Sequence, residues 1–199
     1  PNPDQATIVQ QWEWWFRGGG NVEIMERFSS LLEQAIRGEL EAWSEQPRPR
    51  LALILVLDQF SRSIYQNTAQ AFAQDSKACK LTLDGINMGH YAALETLWEK
   101  TFFFLPLGHS EDLQNLELAI EFADNLVQEA PQEHRVLLEF SAAQARRHRE
   151  ILKRFGRHPH RNQALGRQST PEELEYLASG PLVHRRSMPS HLSQFLSAT

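Results

Sequence analysis

The sequence predicts an all-helical protein, and three observations carry that prediction. Apolar residues recur at spacings of three and four through most of the 199 residues, the period that lines one face of a helix. Breaks in that pattern fall at Gly, Pro and Asn-Thr positions next to residues suited to helix caps. The one run that could form a buried strand, LALILVL from Leu51 to Leu57, has no second strand with alternating pattern to pair with.

Taken in order, Asp4 can cap a first helix over 5–17, which Gly18-Gly19-Gly20 stops. Asn21 opens a second over 21–43, with Ile24, Phe28, Leu31, Leu32, Ala35 and Ile36 on one face and Gly38 as a candidate break. The third, over 49–65, is apolar on every side in its first two turns, the mark of a helix central to the core. Asn67-Thr68 reads as a turn, Asp75 starts a helix over 75–88, and a shorter one covers 91–101. Pro106 and Gly108 are then expected to break the chain. Ser110 is expected to cap a helix over 111–129, with Glu111 placed against its N-terminal dipole. Pro131 suits the first turn of a long helix over 132–155. Thr170-Pro171-Glu172-Glu173 forms a capping box that opens a last helix over 171–178. Residues 1–180 are expected to be one helical domain, followed by a loosely ordered, Ser-rich tail over 181–199.

The net charge is −5, which argues against a general nucleic-acid binder, and the charge is unevenly spread. Between Arg146 and Arg167 stand eight Lys/Arg against the single acid Glu150. The longest apolar run is far too short to cross a bilayer. Cys79 stands alone, so no intrachain disulfide forms and a reducing compartment is expected. With nothing like a signal peptide at the N-terminus, the expectation is a soluble cytoplasmic protein.

Four groups of residues can carry chemistry. In LDQFSRSIY, Asp58 and Arg62 are four apart and can pair on one helix face, with Tyr65 further along that side. Asp58 follows seven apolar residues, so its carboxylate is expected to be partly buried and in need of a partner. An intrahelical ion pair under Tyr65 and a pocket wall explain this group equally well. In the second group, capping accounts for Ser110 and the dipole for Glu111, but neither accounts for His109 beneath Phe102, Phe103 and Phe104. A serine beside a histidine in sequence does not make a nucleophile–base pair, because adjacent side chains diverge. On the long helix, Phe140, Gln144, His148, Ile151 and Phe155 fall on one stripe, so His148 is expected to be buried. A hydrogen-bonded core histidine is the commoner explanation of that pattern, and Gln144 one turn away favours a polar pocket.

The fourth group is the basic stretch KRFGRHPHRNQALGRQST, Lys153 to Thr170. His158-Pro159-His160 offers two imidazoles but no nearby third ligand, so no metal and no other cofactor is expected. Its glycines fit neither a Walker nor a dinucleotide-binding spacing, and only Phe155 could stack on a base. Arg157, His160, Arg161, Asn162 and Arg167 remain, on a loop that Pro159 stiffens. Guanidinium forks suit carboxylate and phosphate oxygens. The repulsion within this stretch predicts that 156–167 is ordered and folds onto acidic residues elsewhere, with Arg161 or His160 reaching Asp58, Glu111 or His109.

RLALILVLDQFSRSIY, AFAQD, FFFLPLGHSEDL and FGRHPHRNQALGRQSTPEE together resemble the bacterial domain-of-unknown-function family 924, over roughly Val9 to Leu177. The matching positions are Asp58, Gln59, Phe60, Arg62, Tyr65, His109, Ser110, Glu111, Arg157, His160, Arg161 and Asn162. The chain departs from the family pattern at Ser61, Ser63 and Gln66, where proline, asparagine and arginine are usual. The resemblance implies a tetratricopeptide-like fold of antiparallel helix pairs and no particular activity.

The residues themselves suggest a polar pocket for a small anionic molecule. In that reading His109 or His160 is the acid–base group and Glu111 its orienter. Arg62 and Arg161 hold the anion, and Asp58, Tyr65, Gln144, His148, Arg157 and Asn162 line the site. The alternative is a non-enzymatic helical scaffold whose basic stretch meets an acidic peptide or protein segment.

Overall fold

The computed structural model describes residues 5–179 and contains helices throughout, with no strand among the described residues. The order is α1 (Gln5–Phe16), α2 (Asn21–Ile36), a 3₁₀ turn (Glu41–Glu45), α3 (Pro47–Leu55), a π-helical turn (Val56–Phe60) and α4 (Ser61–Ile64). A 3₁₀ turn (Ala69–Phe72), α5 (Asp75–Asn87), α6 (Leu97–His109), α7 (Leu113–Glu129) and α8 (Gln132–Phe155) follow. A 3₁₀ turn (Pro159–Arg161) and α9 (Pro171–Ala178) complete the described part.

From α3 through α4 the chain is one continuous helical run, and Leu51, Leu53, Ile54, Val56, Leu57 and Phe60 are all buried along it. It is the centre of the larger apolar cluster, against which α2 contributes Ile24, Leu32 and Ala35. A second cluster forms where α6, α7 and α8 pack together, around Leu107, Ala119, Leu126, Leu138 and Ala142. Ile86 and Tyr91 touch both clusters.

Several sequence expectations need correction. The second helix stops at Ile36 rather than 43, because Gly38 turns left-handed at φ +81 and the chain re-enters as a 3₁₀ turn. A helix over 91–101 was expected, but α6 starts at Leu97, capped by Thr96. The Thr96 hydroxyl accepts from the Glu99 amide at 3.1 Å, and the Glu99 carboxylate accepts from the Thr96 amide at 3.0 Å.

Pro106 does not end α6. It lies buried within it, and the neighbouring turn is supported from outside by Thr82, whose hydroxyl donates to the Phe103 carbonyl at 2.9 Å. The helix runs on to His109. Ser110 is not the cap of the next helix either. Asp112 is, accepting from the amides of Gln114 at 2.8 Å and Asn115 at 3.0 Å. Glu111 thus lies between two helices, with its carboxylate free of any capping duty.

His148 is half-buried rather than buried, as are Phe140 and Phe155. The deeply buried positions of α8 are His134, Leu137, Leu138, Ala142, Ile151 and Leu152, so the inward stripe is rotated from the expected one. The expected tail over 181–199 lies outside the described residues. The capping box at Thr170 and Glu173 is present as expected, and no helix among the described residues is long and apolar enough to cross a membrane.

One helix contact is close enough to test. A Cβ on Gly85 would stand 2.6 Å from Arg50 Cδ and 2.6 Å from Phe103 Cζ, and both of those residues are buried. Gly85→Ala gains helix propensity of about 1 kcal/mol but overpacks the core by up to about 3 kcal/mol. The expected outcome is a net loss of roughly 1–2 kcal/mol, read from the urea midpoint. A variant as stable as the parent would contradict this packing.

Candidate functional site

The site is built around a turn of helix that is not α-helical. Val56–Phe60 is π-helical, and all five of its residues are buried. A π turn inserts an extra residue into the helical ladder and recurs at functional sites. Here it carries Asp58, 1% exposed, in the middle of the core.

Burial raises the cost of the Asp58 charge, yet its carboxyl is held well below the usual carboxylate range by Arg62 and by His109. Arg62 Nη1 lies 3.0 Å from Asp58 Oδ1, and His109 Nδ1 lies 2.8 Å from the same oxygen. Gln59 donates its side-chain amide to Oδ2 at 2.5 Å. With Asp58 ionised and able only to accept, Nδ1 is the nitrogen that carries the proton in this bond, which leaves Nε2 on the side away from Asp58.

Two arginines converge on Asp75, at the start of α5. Arg62 contacts both of its oxygens, at 2.8 and 3.0 Å, and Arg161 donates to one at 3.0 Å. The Phe72 ring has a guanidinium on each account, with Arg62 at 5.6 Å and Arg161 at 4.8 Å from its centroid. Arg161 also donates to the His109 carbonyl at 2.8 Å, which ties the basic loop to the last turn of α6.

Glu111 is the second anchor of that loop. It accepts a two-pronged contact from Arg167 at 2.9 and 2.8 Å, and the backbone amide of His158 donates to it at 2.8 Å. Burial works against its charge, but Arg167 and the His158 amide hold its carboxyl below its ordinary value. His158, fully buried, packs edge-on against His148 at 5.2 Å and lies 5.6 Å from His160. Burial and then the nearby Arg161 charge push its imidazole down to about 4, so it is neutral at pH 7.

A third knot closes the loop. Arg157 grips Glu173 at 2.7 and 2.8 Å, and Asn162 donates to Ser169 at 3.0 Å and to Glu173 at 3.1 Å. The Asn162 side chain thus crosses to α9. Gly156 makes the sharp exit from α8 possible, at φ +68.

The structure thus brings Asp58, Arg62, His109, Glu111 and Arg161 into one connected network, with His148 and His160 around His158 at its edge. Arg157 and Asn162 belong to the adjoining Glu173 knot. Tyr65 turns away, its hydroxyl donating to Glu33, and Gln144 accepts from Arg147 at 3.1 Å. The ordered loop with Arg161 reaching His109 agrees with the electrostatic expectation. Asp75, Phe72 and His158 escaped the sequence reading as site residues. Asp75 had been explained as a helix start, and no local spacing links it to residues 62 and 161.

Among described residues, Asp58, Asp75 and Glu111 match Arg62, Arg161 and Arg167 one for one. The carboxylate and guanidinium charges of the network are therefore balanced.

A solved structure of a protein of unknown function from Agrobacterium tumefaciens is 34% identical, with a TM-score of 0.72 over 88% of this chain and 97% of that one. No curated protein matches. Residues 4–181 match the family described as bacterial protein of unknown function (DUF924), a span that takes in the π turn, the His109–Glu111 corner and the basic loop together, and the chain belongs to that family.

Proposed function

We propose that the Asp58–His109 pair, with Arg62 and Arg161, forms a site for a small anionic molecule on which His109 acts as an acid–base group. The observation that carries this reading is the buried Asp58 in a π turn, bonded at 2.8 Å to His109 Nδ1. A carboxylate placed behind an imidazole fixes its tautomer, directs Nε2 outward and stabilises the imidazolium. His109 keeps about a fifth of its side-chain surface exposed, whereas Asp58 behind it is sealed.

The balanced charges determine how an anion is accommodated. Arg62 and Arg161 are already on carboxylates, so in this reading the ligand's charge is met by the imidazolium form of His109, which Asp58 stabilises from behind. Glu111, tied to Arg167 and the loop backbone, serves to hold the loop rather than to orient His109.

The same balance favours one other reading, a purely structural clamp that fastens 156–167 to the body. A scaffold for an acidic peptide comes behind both, because Arg157, Arg161 and Arg167 would first have to leave carboxylates of this chain.

His109→Asn separates the first two readings. Asparagine can still donate to Asp58 where Nδ1 does, but it lacks Nε2. Anionic metabolites are screened by thermal shift against the parent chain, since a ligand specific to the folded state raises Tm by mass action. The expected outcome is a stabilising anion whose chemical conversion, followed by NMR, is lost in His109→Asn. If no anion stabilises the parent, or conversion persists in the variant, the clamp reading stands.

A further inference from the structure

Arg50 presents a different electrostatic situation. It is 3% exposed and lies at the base of a cleft of about 510 Å³ whose lining includes Ser44, Lys77, Lys80, Asp84 and Met88. Its Nε donates to His90 Nδ1 at 3.0 Å, Nη1 to the Leu81 carbonyl at 2.9 Å, and Nη2 to the Ser44 carbonyl at 2.5 Å. The remaining contact of Nη2 is the Met88 sulfur at 3.3 Å. No carboxylate touches the guanidinium.

That arrangement is unusual for a buried cation, which ordinarily takes an ionised partner. The network around Asp58 obeys the rule and this cleft does not. Lys77 pairs with Glu41 at 2.9 Å and Lys80 with Asp84 at 2.8 Å. The three cations of the cleft therefore face two carboxylates, and both of those are engaged by lysines. One positive charge is left over in the cleft; Asp84, paired with Lys80, also attracts Arg50 from a distance but makes no contact with it.

The guanidinium, which lines the cleft, also holds unspent donor capacity. Its two terminal nitrogens carry four N–H bonds, and only two of them go to carbonyls. A thioether is a weak acceptor, and Met88 is 59% exposed, so an oxygen from solvent can replace it readily. The backbone leaves room for this side chain by having no Cβ at Gly85, which would stand 2.6 Å from Arg50 Cδ.

We infer that this cleft is a binding site for a phosphoryl group, held end-on by Arg50 and flanked by Lys77 and Lys80. A guanidinium fork at the base and two ammonium groups beside it match the several oxygens of a phosphate better than the single plane of a carboxylate. The cleft volume falls in the range of small-metabolite pockets, which suits a phosphorylated metabolite rather than a bare ion. The site lies along α5 from Lys77 to Met88, beyond Asp75 and the Asp58–His109 network, and it is independent of the function proposed for that network.

Inorganic phosphate is the probe, titrated into the full ¹⁵N-labelled chain at constant ionic strength, with acetate in a parallel series. The Arg50 Nε–H resonance, identified by its proximity to His90, and the amides of 81–88 are expected to shift and saturate. Two rim substitutions that leave the core untouched have opposite signs. Lys80→Gln removes an attractive charge and is expected to weaken phosphate binding about threefold, whereas Asp84→Asn removes a repulsive one and tightens it about threefold. Phosphate that leaves the Arg50 signal in place overturns the site. Rim substitutions that leave the affinity unchanged mean an adventitious ion only, which overturns it equally. Acetate binding as tightly as phosphate overturns the phosphoryl assignment.

Discussion

Asp58→Ala is expected to destabilise the protein by about 4 kcal/mol, because removing one partner of a buried ion pair leaves the others uncompensated. Arg62 keeps Asp75, but His109 loses the acceptor for Nδ1 and Gln59 loses the acceptor for its amide. The cavity left in the π turn adds to the loss. Asp58→Asn, which keeps the shape and an acceptor oxygen but not the charge, should cost roughly half as much. Urea unfolding at pH 7 measures both, with the midpoint falling and the slope unchanged. If alanine costs less than about 1 kcal/mol, Asp58 is not the electrostatic centre of the site.

Acidification should destabilise the protein in two phases with different owners. His158 takes up its proton only near pH 4 when folded, against an ordinary value of 6.5. Between those values the unfolded chain binds more protons, so stability is full above pH 6.5 and falls as the pH drops towards 4. A depression of that size corresponds to about 3 kcal/mol across the window.

His90 acts in the same direction, lowered first by burial and then by Arg50. The groups facing His158 are Arg161, Glu111 and His109, together with the His148 and His160 rings. The second phase belongs to Asp58, Glu111 and Glu173. Their folded values lie below the ordinary ones, so their contribution is present near neutral pH and disappears below about pH 4.5. Urea midpoints measured from pH 7.5 to 4, with an NMR titration of the His158 ring, test the first phase. A ring that titrates near 6.5 in the folded protein, or a flat stability profile down to pH 4.5, would refute it.

Much of the fold was legible in local pattern. The run from Leu51 to Leu57 is apolar all round and lies at the centre of the larger core, as its composition required. The capping box at Thr170 and Glu173 marked α9 because its two hydrogen bonds lie within four residues. The charge surplus between Arg146 and Arg167 foretold an ordered loop folded onto acids, since eight like charges need counter-charges whatever the fold. The corrections around the site share one origin. Pro106 looked like a helix end because a proline removes a backbone donor, yet α6 continues through it to His109 with the proline buried. Once α6 reached His109, the cap moved to Asp112 and Glu111 was released for the loop.

The sequence by itself determined that the chain is helical, that Asp58 is at least partly buried and needs a partner, and that the basic stretch must find acids. Each follows from a period, a cap or a charge count over a short window. Only the tertiary structure decided which partners meet. Asp75 meets Arg62 and also Arg161, 86 residues further along the chain, and Arg50 meets His90, Leu81 and Ser44 with no carboxylate among them. Pairing at such separations depends on how helices cross and which side chains the core excludes. Short-range spacing carries no record of either.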